Sequence, residues 1–186
     1  MSRASDDETR DVILDVVIDL LESGGYEAVR LREVAKRARL SLAKIYKLFP
    51  TRQQLIVSAL ERWMDANVYA SLEMPGPDEP LGDVLMRVFR TMFEPWERAP
   101  LLLQAYHLAE LGPGGERLQS QGMTAVEPVS RTALKDADPE VARDVEAILG
   151  NVVYALIGKY TAGQIEITDI LPELERTVFR LTGDLK

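Results

Sequence analysis

Between residues 28 and 52, eight basic side chains (Arg30, Arg32, Lys36, Arg37, Arg39, Lys44, Lys47 and Arg52) accompany a single acid, Glu33. That window carries +7 while the whole chain carries −8, so the remainder holds −15. An acidic body with one basic face repels phosphate everywhere except at that face, which suits a nucleic-acid partner. On charge alone, a solvated basic surface is an equal reading. The order of residue types adds to it. Ser41, Leu42, Ala43 and Lys44 open a short apolar-periodic segment, 42–49, in which Ile45, Leu48 and Phe49 form the inward side. Lys44 is the one long donor able to meet a guanine edge, and Leu42 and Ala43 can touch a thymine methyl. Arg30, Arg32, Ser41, Tyr46, Lys47, Thr51 and Arg52 suit phosphate oxygens, which set register without reading sequence.

Other chemistries find little material. Cysteine is absent and His107 is the single histidine, so thiolate metal sites, disulfides and a cysteine nucleophile are excluded. No glycine-rich phosphate loop follows a strand, and carboxylate pairs such as Glu173 and Glu175 sit on a solvated helical pattern. The chain reads as neither an enzyme nor a holder of a cofactor or metal. The acidic N-terminus lacks an apolar h-region, and no apolar run reaches the ~20 residues that span a bilayer, which together imply a cytoplasmic address with no membrane partner.

The elements that must position the basic segment are helices. Residues 11–23 place Ile13, Val16, Val17, Leu20 and Leu21 at helical spacing, and Gly24 and Gly25 stop them. Residues 31–38 form a second short helix. A break at 39–41 follows, with Ser41 as N-cap, and a third helix spans 42–49 before Pro50. Thr51 caps a fourth, reaching about Glu73. Residues 74–80, with three prolines and a glycine, punctuate the chain. Helical patterns then occupy 81–94, 97–111, 116–136, 139–162 and 168–181. The predicted fold is all-α with about nine helices, a helix-turn-helix domain over 1–52 and a second helical domain over 53–186, to which the family resemblance described next assigns ligand binding and dimerisation.

Two short helices joined by a three-residue break and braced by a preceding helix are the layout of a helix-turn-helix, whose second helix enters the major groove. The stretch LREVAKRARLSLAKIYKLFPTRQQL, 31–55, resembles the DNA-binding signature of the TetR family, and Thr9, Arg10, Ile13, Leu14, Gly25 and Tyr26 match its first helix. The likeness covers about the first third of the chain. It implies phosphate contacts from Tyr46 and Arg52 and base reading from 42–44. Arg39 and Ala43 stand where the family often has glycine, and Leu48 where histidine or tyrosine is common, so the operator cannot be borrowed from relatives. Residues 24–29, 49–60 and 100–103 faintly resemble actinobacterial regulators of sterol and lipid breakdown.

The likeness further implies a ligand-responsive transcriptional regulator, most often a repressor. It would bind a pseudo-palindromic double-stranded DNA operator as a homodimer and be released by a small apolar effector, lipid- or steroid-like or a fatty acyl-CoA derivative. The expected dimer interface comprises Val145, Leu149, Val152, Val153, Leu156, Leu174 and Val178, with Gly150, Gly158 and Ala162 permitting close approach. The expected effector pocket comprises Phe89, Met92, Phe93, Trp96, Gln104, Tyr106, His107, Met123 and Tyr154, although such residues at helical spacing are also ordinary core. A helical protein-interaction module that has lost DNA binding is the competing reading.

Overall fold

The computed structural model describes residues 3–183, with side chains from residue 6 onward. Among the described residues there are nine α-helices and no strand. They are α1 (Arg3–Gly24), α2 (Leu31–Arg37), α3 (Leu42–Leu48), α4 (Arg52–Met64), α5 (Leu81–Arg98), α6 (Pro100–Glu110), α7 (Glu116–Ala133), α8 (Pro139–Thr161) and α9 (Ile170–Thr182). Short 3-10 turns at Tyr26–Ala28 and Ile167–Asp169 and a π turn at Asp65–Tyr69 complete the set. No described helix is long and apolar enough to cross a membrane.

The chain forms two compact units, one of Met1–Ala66 with Ala99–Gln121, the other of Asn67–Arg98 with Gly122–Lys186. In the first, α1 packs on α2, α4 and α6, and α2 packs on α3. The apolar stripe of α1 (Ile13, Val17, Leu20, Leu21) is buried, as are Leu55, Ile56, Ala59 and Leu60 of α4 and Leu102, Leu103, Ala105 and Ala109 of α6. Packing therefore does not divide at residue 52: α4 and α6 share the core of the three N-terminal helices. In the second unit α9 packs on both α5 and α8. Val84, Val88 and Val129 form a buried cluster, with Leu72, Met92, Val126 and Ala133 against it.

Three boundaries depart from the sequence reading. Helix α1 starts at Arg3 rather than residue 11, with Asp6 in its first turn, where a carboxylate complements the helix dipole. Helix α4 stops at Met64 and gives way to the π turn instead of continuing to residue 73. The Glu94-Pro95 pair does not end α5. Pro95 removes one backbone donor, but Phe93, Pro95 and Trp96 are buried, and their packing holds one further turn.

The break between α2 and α3 is built from backbone hydrogen bonds. Leu40 N–H donates to the Ala35 carbonyl at 2.9 Å and Arg39 N–H to that of Lys36 at 3.2 Å, the paired bonds of a Schellman ending. This ending needs a left-handed residue, and Arg39 supplies it at φ 56°. An L side chain there costs about 1 kcal/mol. Arg39 is exposed and gives up no packing when truncated. Arg39→Gly is therefore expected to raise Tm by about 2–4 °C in thermal unfolding; an unchanged or lower Tm would show the turn is not strained.

Candidate nucleic-acid interface

Seven-residue helices are too short to be stable alone, so α3 is held by what it buries and by its ends. Ile45, Leu48 and Phe49 are buried, as the spacing predicts. At its start the Ser41 hydroxyl accepts the Lys44 N–H at 3.1 Å, and Thr51 caps α4 in the same way from Gln54 N–H. Caps of this kind contribute about 1 kcal/mol each. Ser41 and Thr51 thus shape the helices first; each hydroxyl still has a proton to give to a phosphate.

With its back buried, α3 turns the opposite face outward. Ala43 and Lys47 are exposed, and Tyr46 has 49% of its surface free. Leu42 and Lys44 are half-buried. Arg30 and Arg32, at the start of α2, are exposed together with Lys36, Arg37 and Arg39. Arg37 is tied to Glu33 at 2.7 Å. This paired Glu33 carboxyl lies below its usual range, chiefly through the Arg37 hydrogen bond. These exposed bases lie on and beside α2, which packs on α3, and exposed cations of this kind suit phosphate oxygens.

Two expected contact residues are already engaged. The Arg52 guanidinium donates from Nε to the Val29 carbonyl at 2.6 Å and from Nη2 to the Tyr26 carbonyl, and its carbon lies 4.4 Å from the centre of the Tyr26 ring. It therefore clamps the loop that feeds α2, a positioning role beside the expected phosphate contact. The sequence carries no local sign of this, because the partners lie 23 and 26 residues away. Lys44 is the second: its Nζ donates to Asp6 Oδ1 at 2.5 Å.

Tyr26 continues the clamp toward α6. Its hydroxyl donates to Gln53 Oε1 at 2.5 Å, and Gln53 Nε2 donates to the Ala109 carbonyl at 2.7 Å. A Cβ on Gly112 would lie 2.6 Å from the Gln53 amide, so a larger residue there would displace that amide from its present contacts.

The nine residues expected to line an effector pocket are divided between the two units. Phe89, Phe93 and Trp96 are core of the second unit, with Met92 packed on its valine cluster. Met123 is 75% exposed on α7 and Tyr154 52% exposed on α8. Gln104, Tyr106 and His107 lie half-buried on α6 in the first unit, with His107 Nδ1 3.7 Å from Glu110 Oε2. A cleft of about 430 Å³ in the second unit is lined instead by Glu79, Asp83, Met86, Arg87, Arg90, Thr91, Glu94 and Phe179. Arg87 is held there by Glu79 at 2.8 Å and Arg90 by Glu175 at 3.0 Å.

The expected dimer residues lie mostly on the side of α8 and α9 that the protomer itself covers. Val145, Leu149, Leu156, Leu174 and Val178 are buried within the protomer, where α8 meets α9, and Val152 and Val153 are half-buried. An amphipathic helix can bury one stripe in its own chain and show another. The outward stripe of α8 carries Ala147, Ile148, Asn151, Tyr154 and Ala155, with Gly150 and Gly158 opening onto empty space.

The Arg52 clamp is expected to separate from the contact face by mutation. Arg52→Ala should cost about 1–2 kcal/mol and lower Tm by several degrees, and Arg52→Lys should rescue it only in part, because an ammonium keeps donors for the carbonyls but lacks the planar guanidinium that stacks on the Tyr26 ring. Tyr46→Ala, at an exposed position, should leave Tm within about 1 °C. Equal Tm values for Arg52→Ala and wild type would remove the clamp from the account.

The comparisons agree with this geometry. Residues 13–59 match the family model described as bacterial regulatory proteins, tetR family, and 79–181 match the tetracyclin repressor-like C-terminal domain. The HTH-type transcriptional repressor KstR of Rhodococcus jostii is 32% identical over 99% of this chain and 87% of its own length. KstR of Mycobacterium tuberculosis is 28% identical over 95% of this chain and 82% of its own. A TetR transcriptional regulator from Rhodococcus sp. RHA1 superposes with a TM-score of 0.71 at 20% identity, each chain covered in full (100%). A tetR-family regulator from Streptomyces coelicolor superposes at 0.68, covering 94% of this chain and 80% of its own. A helix-turn-helix whose outward face is basic, continuous with a matching C-terminal helical domain, makes this chain a member of the TetR family of DNA-binding transcriptional regulators, and not an enzyme.

Proposed function

We propose that the chain is a ligand-responsive repressor, acting in the cytoplasm as a homodimer on a pseudo-palindromic operator. Residues 1–52 would serve DNA binding and 53–186 effector binding and dimerisation. The observation that carries the reading is the face of α3: its apolar side is buried to hold it, while Ala43, Tyr46 and Lys47 stand outward among the exposed bases of α2. The 32%-identical relative is a transcriptional repressor, which supports the sign of regulation.

One such helix reads too few bases, and pairing two of them one DNA turn apart, about 34–36 Å, is the usual remedy. The outward stripe of α8 supports a second copy as its cover: Ile148 and Tyr154 supply apolar area, and the small residues between them let helices approach. Val145, Leu149, Leu156, Leu174 and Val178 support that surface from behind rather than forming it. The effector would be a small apolar molecule, steroid- or lipid-like by resemblance. Its binding would favour a conformer whose recognition helices no longer match the groove spacing. The chain of contacts from Ala109 through Gln53 and Tyr26 to Arg52 supports α6 as the element that transmits the change to the loop before α2.

Selection from a pool of random duplexes, followed by sequencing, tests the DNA reading. Wild type should enrich one inverted repeat, and Lys44→Ala and Tyr46→Ala should lose or relax it; no enrichment would favour an interaction module on the same fold. Sedimentation tests the dimer. Ile148→Glu with Tyr154→Glu should yield monomers that keep their helical content and lose cooperative binding to the repeat, and a persisting dimer would place the interface elsewhere.

A further inference from the structure

The base-facing lysine does not stand alone. Lys44 lies in the first turn of α3, and its Nζ donates to Asp6 Oδ1 at 2.5 Å. The two side chains are 30% and 29% exposed, so the pair sits at the rim of the contact face. Asp6 is fixed there by register. One turn along α1, Arg10 Nη2 donates to the Leu48 carbonyl at 3.0 Å, and its guanidinium lies 4.9 Å from the centre of the Phe49 ring. Positions 6 and 10 of α1 thus meet positions 44 and 48 of α3, a step of four residues along each helix. Residue 6 can address the first turn of α3 only because α1 begins at Arg3.

A lysine ammonium has three N–H donors and acts as a point charge, so on DNA it serves phosphates as readily as base edges. A carboxylate within hydrogen-bond distance changes both properties. It takes one donor and fixes the direction of the other two, and it cancels the charge that draws the ammonium to phosphate. The Asp6 carboxyl lies below its usual range, first because of the Lys44 hydrogen bond and then through the charges of Lys44, Lys47 and Arg10, so it is ionised at neutral pH.

We propose that Asp6 is a positioning residue for sequence readout: it neutralises Lys44 and aims the remaining N–H donors, so that Lys44 binds a base-edge acceptor in preference to phosphate. The proposal rests on the DNA reading above and adds to it a residue outside the helix-turn-helix. Prepaying the ordering of a long side chain favours a directed contact, and removing one net positive charge weakens sequence-independent attraction. Asp6 therefore raises the ratio of specific to non-specific binding from both sides.

The experiment uses the full chain as wild type, Asp6→Ala, Asp6→Asn, Lys44→Ala and Asp6→Ala with Lys44→Ala. Fluorescence anisotropy measures binding to the duplex enriched by wild type and to a scrambled duplex of equal composition, across a KCl series. Asp6→Ala should bind the scrambled duplex about threefold to tenfold tighter, with a salt slope steeper by about one. It should bind the enriched duplex no more tightly than wild type, so the ratio falls. Asp6→Asn, which keeps an acceptor without the charge, should recover part of the ratio and retain the steeper slope. In the Lys44→Ala background, removing Asp6 should leave the ratio unchanged. An unchanged ratio in Asp6→Ala, or the same change with Lys44 absent, overturns the proposal while the DNA reading stands. Failure of wild type to enrich any sequence overturns the DNA reading and this proposal with it.

Discussion

A seven-residue helix has no stability of its own in water, so the geometry of the contact face depends on burying the back of α3. Ile45, Leu48 and Phe49 meet that requirement, and each removes roughly 1.5–3 kcal/mol of exposed apolar surface from water. Once that stripe is inward, the 100° step of the helix leaves no choice for the rest. Ala43, Tyr46 and Lys47 must face out, and Leu42 and Lys44 must lie at the margin. Backbone caps at Ser41 and Thr51 and the Schellman ending at Arg39 then fix where the helix begins and how it meets α2.

The same constraint explains why the first unit extends beyond the helix-turn-helix. Three short elements cannot enclose a core by themselves, and α1 gives its apolar stripe to α4 and α6 as well as to α2. Arg52 and Gln53 sit at the start of α4, where this packing meets the loop before α2. Their side chains turn a packing arrangement into a connected set of polar contacts, from the Ala109 carbonyl to the Val29 carbonyl. A shift of α6 would be felt at the entrance to α2 because these bonds are short, directional and shared by adjacent residues of one helix.

Electrostatics in this chain works by local arrangement rather than by sum. The net charge is −8, yet exposed bases gather around α2 and α3. Within that patch, individual cations have different tasks set by their neighbours. Arg37 is tied to Glu33, Arg52 to backbone carbonyls and Lys44 to Asp6, whereas Arg30, Arg32 and Lys47 stand in solvent. A count of bases therefore overstates the number available to phosphate.

Periodicity and punctuation in the sequence were enough to determine the all-α class, the helix count, the buried side of α3 and the basic window, because each depends on residues within one or two turns of each other. The resemblance in residues 31–55 led to the family by the same local route. Whatever depends on distant partners was decided by tertiary structure. The extension of α1 to Arg3 follows from side chains that meet residues 38 positions away, Asp6 with Lys44 and Arg10 with Leu48. The clamp role of Arg52, the use of Val145, Leu149, Leu156, Leu174 and Val178 as protomer core, and the outward stripe of α8 have the same origin. A helix with apolar residues on much of its circumference does not reveal which stripe its own chain will cover. Only the packing of α9 against α8 made that choice.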